Sequence, residues 1–82
     1  MPQRDIKNGK KNLIGNRLSK LRTERNLSQR SLAYKLQLAG YDIDKNVITR
    51  IETGKRYVTD IELKAFCEVL DVSYDYLIDD IL

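Results

Sequence analysis

Residues 45–53 read Lys45-Asn46-Val47-Ile48-Thr49-Arg50-Ile51-Glu52-Thr53. At about 100° per residue, Lys45, Asn46, Thr49, Arg50 and Thr53 fall within one arc of about 140°, and Val47, Ile48 and Ile51 fill the opposite one. The aliphatic side requires a core to pack on, so this is a two-faced helix of a bundle. The polar side carries two cations, an amide and two hydroxyls, and no acid. Arg and Lys donate to guanine O6 and N7, Asn pairs bidentately with adenine, and Thr meets a thymine methyl. An ordinary solvated helix face would also fit this composition. Glu52 falls at the margin of the aliphatic arc.

Outward from this segment, each boundary carries turn or cap chemistry. Asp44 is a good N-cap, and Gly54 allows a left-handed exit. Before it, Asn12–Arg25 has Ile14, Leu18 and Leu21 on one stripe, and Asn26 is placed to end that helix in the left-handed region. Ser28 caps a second helix that buries Leu32, Ala33 and Leu36 and fades near Leu38–Gly40. After it, Thr59-Asp60-Ile61-Glu62 fits the reciprocal capping box, with Leu63, Phe66, Cys67 and Leu70 inward. Ser73 caps a fifth helix expected to run to Leu82, with Leu77, Ile78 and Ile81 inward and Val72 filling the preceding turn. The pattern predicts an all-α, five-helix bundle over residues 12–82. Residues 1–11, poor in aliphatic groups, read as a flexible basic N-terminal arm.

At 82 residues the chain has room for one modest core, and a separate ligand-sensing domain is not expected. With no histidine and a single cysteine, Cys67, it lacks a histidine-based triad, a zinc quartet and an internal disulfide. Neither a signal peptide nor a membrane span is visible, which predicts a cytoplasmic protein. The formal charge of +3 is unevenly placed: residues 1–30 carry +7, residues 31–56 carry +2 and residues 57–82 carry −6. Such asymmetry suggests that one end meets a polyanion.

Three fragments resemble the helix-turn-helix domain of the phage repressor and Cro family, also called the XRE family. They are Leu27-Ser28-Gln29-Arg30-Ser31-Leu32-Ala33, Ile48-Thr49-Arg50-Ile51-Glu52-Thr53-Gly54-Lys55-Arg56, and Leu70-Asp71-Val72-Ser73-Tyr74-Asp75-Tyr76-Leu77. The resemblance implies a lambda-repressor-like fold and a transcriptional regulator that binds double-stranded DNA as a homodimer, without catalysis, cofactor, metal or small-molecule ligand. It also implies that Lys45, Asn46, Thr49 and Arg50 read base edges, that Gln29, Arg30, Lys55 and Arg56 contact phosphates, and that Arg22 and Glu52 form a structural ion pair. The alternative is a protein-interaction module, antitoxin-like or anti-repressor-like, that uses the acidic C-terminal half.

The chain departs from the family pattern between the second and third helices, where Ala39-Gly40-Tyr41-Asp42-Ile43 and its flanks lengthen the turn. Tyr41 is expected to cover the core edge, with a phosphate or a partner subunit as the other destination for its hydroxyl. Cys67 reads as a buried, inert thiol. Asp79 and Asp80 point about 100° apart and read as a solvated acidic end. The arm, with Arg4, Lys7, Lys10 and Lys11, reads either as a tail or as a DNA-following extension.

Overall fold

A computed structural model describes residues 9–78, and these form five α-helices with no strand among the described residues. They are α1 (Gly15–Glu24), α2 (Gln29–Leu38), α3 (Lys45–Glu52), α4 (Asp60–Leu70) and α5 (Tyr74–Ile78). Of the arm expected over residues 1–11, residues 1–8 lie outside the described residues. So do Asp79, Asp80, Ile81 and Leu82.

The helix starts follow the expected chemistry. The side chains of Ser28, Asp44 and Thr59 accept from the backbone N–H groups of Ser31, Val47 and Glu62. Thr59 and Glu62 complete the reciprocal box. α1 differs: it begins at Gly15 rather than Asn12, its N-cap position falls at Ile14 with no side-chain cap bond, and in the turn before it Asn12 Oδ1 accepts from Ile14 N at 3.1 Å and Gly15 N at 2.8 Å.

The first three helices end in one motif. Asn26, Gly40 and Gly54 take φ of 59°, 96° and 75°, and the N–H groups on either side of the reversal return to the last turn. These bonds are Asn26 N to Thr23 O and Leu27 N to Arg22 O, Gly40 N to Gln37 O and Tyr41 N to Leu36 O, and Gly54 N to Ile51 O and Lys55 N to Arg50 O. This is the Schellman arrangement, which satisfies carbonyls that a helix end leaves without partners.

The core joins all five helices. Leu18 and Leu21 of α1, Leu32 and Leu36 of α2, Ile48 and Ile51 of α3, Phe66 and Leu70 of α4 and Leu77 of α5 are buried together. Val47, Leu63, Val72 and Ile78 pack partly buried against them. Glu62, a charged residue, is also buried.

The lengthened turn, residues 39–44, is held by its own side chains. Ile43 is 4% exposed and Tyr41 packs on the core edge, while the Tyr41 hydroxyl donates to Glu68 Oε1 at 3.0 Å. The hydrogen bond to Glu68 raises the Tyr41 pKa above its ordinary value. Cys67 is buried, and burial pushes its thiol pKa up. No helix among the described residues is long and apolar enough to cross a membrane.

Candidate nucleic-acid interface

The two faces of α3 separate as its periodicity dictates. Ile48 and Ile51 are fully buried, Val47 is half-buried, and Lys45, Asn46, Arg50 and Thr53 are exposed. Thr49 lies half-buried at the border. Both flanking acids are engaged: Asp44 Oδ1 accepts from Val47 N at 2.9 Å, and the Glu52 side chain is only 6% exposed. Glu52 is thus paired with Arg22 and turned away from the outward face, while Asp44 stays exposed at its N-terminal end.

Glu52 is the hub that orients α3. Its Oε2 accepts from Arg22 Nε at 2.7 Å, and its Oε1 accepts from Arg22 Nη2 at 3.1 Å and from Gln29 Nε2 at 2.9 Å. Arg22 Nη1 donates to Leu27 O at 2.7 Å, so one guanidinium ties α1 to the α1–α2 turn and to the end of α3. The fork geometry suits a carboxylate, and the hydrogen bond to Glu52 raises the Arg22 pKa against the opposing effect of desolvation. Gln29 Oε1 in turn accepts from Thr49 Oγ1 at 2.8 Å. The chain Arg22–Glu52–Gln29–Thr49 thus links three helices through side chains alone.

A second clamp holds the far end of α3. Asn12 Nδ2 donates to Ile51 O at 3.0 Å and Arg56 O at 2.8 Å, and Lys11 N donates to Gly54 O at 2.9 Å. Asn12 was not among the residues singled out from sequence. Its position ahead of a helical stripe marks it as a cap candidate, but the reach of 39 residues to Ile51 has no local signature.

The residues assigned to phosphates divide. Arg30 and Lys55 are exposed, with no side-chain hydrogen bond or ion pair to a described residue. Gln29 spends its carbonyl and one amide hydrogen inside the network, leaving its second Nε2 hydrogen and the backbone at the α2 start. Arg56 is turned inward: its Nη1 donates to Glu62 Oε1 at 2.7 Å and to Tyr57 O at 3.0 Å, and its side chain is 29% exposed. It neutralises a buried carboxylate that also accepts from Thr59 N. Among the described residues no group of histidine, cysteine or acidic side chains is placed to hold a metal ion.

A two-helix turn with a cationic, amide-bearing second helix, its orientation fixed from three sides, is the architecture of a DNA-binding regulator. The family model described as Helix-turn-helix matches residues 18–77, and the chain belongs to that family, the XRE family that its sequence fragments resemble. No curated protein and no solved structure matches the chain.

Proposed function

We propose that the chain is a sequence-specific binder of double-stranded DNA, a repressor-like transcriptional regulator that reads the major groove with α3. One observation carries this reading: Lys45, Asn46 and Arg50 stand exposed together on a helix whose back face is buried and whose C-terminal acid, Glu52, is locked into the fold. Rigid presentation of donors matched to guanine and adenine edges is what direct readout needs. Thr49 completes the reading set. Phosphate contacts from Arg30 and Lys55, the α2 start at Gln29 and the remaining donors of Arg56 set the register.

The chemistry is binding alone, without catalysis or cofactor, in the cytoplasm. Two copies, joined through α5, occupy half-sites about one DNA turn apart. The test is selection of bound fragments from a random duplex pool, followed by a salt titration. A two-fold symmetric consensus, bound with an affinity that falls steeply with salt, supports the proposal. Recovery of no consensus overturns it.

A further inference from the structure

We propose that Thr49 reads a thymine through its methyl group, because the Glu52–Gln29 relay has already claimed its hydroxyl proton. The inference rests on the reading that α3 enters the major groove, and it names one base that this helix selects.

The argument starts at Glu52. An ionised carboxylate only accepts, so the Gln29 amide beside it must present Nε2, and the 2.9 Å contact is a donation. The opposite amide orientation would set two acceptor oxygens against each other. With Nε2 so placed, Oε1 points at Thr49 and accepts from Oγ1 at 2.8 Å, while the Lys45 carbonyl lies 3.0 Å from the same hydroxyl. Two acceptors already compete for one proton.

Thr49 therefore has no donor left for guanine O6 or N7, adenine N7 or thymine O4. Apart from the hydroxyl lone pairs, what Thr49 can still offer a base edge is Cγ2, an apolar group on the helix that carries the exposed donors Lys45, Asn46 and Arg50. In the major groove the base edges offer one apolar partner, the C5 methyl of thymine. The hydroxyl lone pairs could also accept from an amino group of adenine or cytosine, so the test separates methyl from hydroxyl.

The probe is the duplex selected from a random pool by the unaltered chain, with each thymine in turn replaced by deoxyuridine, which removes only the C5 methyl. At one thymine per half-site the replacement weakens binding about fourfold, the worth of one buried methyl. At that position Thr49→Val still prefers thymine, whereas Thr49→Ser and Thr49→Ala bind thymine and uracil equally. Thermal melts of the three variants accompany the titrations, and the uracil scan on the unaltered chain needs no variant at all.

Selective binding with no uracil-sensitive thymine overturns this inference and leaves the major-groove reading standing. So does a thymine-over-uracil preference that persists undiminished in both Thr49→Ser and Thr49→Ala, since another group then meets the methyl. Failure to select any sequence overturns both.

Discussion

A Cβ built on Gly15 would lie 2.5 Å from the carbonyl oxygen of Ile51 and 3.1 Å from that of Glu52. The start of α1 and the end of α3 therefore approach backbone to backbone, and only a residue without a side chain permits it. Gly15→Ala would ordinarily stabilise a helix by roughly 1 kcal/mol. Here it meets backbone that cannot move without shifting α3, and overpacking of this kind costs about 1–3 kcal/mol. The expected outcome is a lower Tm for Gly15→Ala in thermal melts. An unchanged or raised Tm would show that the contact is slack.

The Arg22–Glu52 pair carries a different prediction. The two side chains are 15% and 6% exposed, so removing one partner strands the other in a poorly hydrated place. Arg22→Ala should cost about 2–4 kcal/mol, near the lower range for a broken buried pair. The paired change Arg22→Met with Glu52→Leu should recover much of that in urea melts, because apolar replacements carry no desolvation penalty. Its DNA selectivity should nevertheless relax, since Gln29 loses the acceptor that orients it. A double variant that recovers stability and keeps full selectivity would reduce the pair to simple packing.

The helices were readable because their signals are local: cap residues, apolar spacing and left-handed positions such as Asn26 and Gly54 all act within one turn. The added length between α2 and α3 was also visible as a count of residues. Its shape was not, because the anchors are tertiary. Ile43 is buried in the common core of the bundle, and Tyr41 bonds Glu68, 27 residues on. Gly15 and Asn12 escaped notice for the same reason. Arg56 illustrates a signal seen but not followed. The capping box already required Glu62 to reach back toward Thr59, and a carboxylate drawn inward there needs a cation, which the preceding turn supplies.

The lengthened turn should respond to its two anchors unequally. Ile43→Ala removes a side chain 4% exposed and should cost about 2–4 kcal/mol. Tyr41→Phe removes only an exposed hydrogen bond and should change stability by less than about 1 kcal/mol. Denaturant melts of the two variants check the ordering. Equal effects would mean that the hydroxyl, not the apolar packing, shapes the turn.

The shifts at Cys67 and Tyr41 predict a loss of stability at alkaline pH. Both have pKa values raised in the fold, the first by burial and the second by its bond to Glu68. An acid with a raised folded pKa contributes stability that is complete below its unfolded pKa and falls as pH rises through the folded value. The decline should begin above about pH 8.5 for the thiol and about pH 10 for the phenol. Cys67→Ala should flatten the first part of that slope in melts taken between these values. The thiol itself should react with a disulfide reagent only at the rate at which the domain opens, and fast labelling of the folded chain would contradict its burial.

The sharpest division expected among variants lies within the residues proposed to contact DNA. Arg50→Ala and Asn46→Ala remove donors on the exposed face of α3 and should cost about 1–3 kcal/mol on the selected site while relaxing its sequence preference. Lys55→Ala should weaken every duplex alike and lower the salt slope by about one, as loss of one phosphate contact does. Arg56→Ala should do two things at once. Its Nη1 neutralises Glu62 at 2.7 Å, so the Tm falls, and loss of its remaining donors also weakens every duplex alike, as Lys55→Ala does. Titrations of the four variants on selected and scrambled duplexes at several salt concentrations, alongside melts, separate the three patterns. If Arg50→Ala and Lys55→Ala change affinity and selectivity in the same way, α3 does not read bases, and the face it presents serves only to hold the backbone.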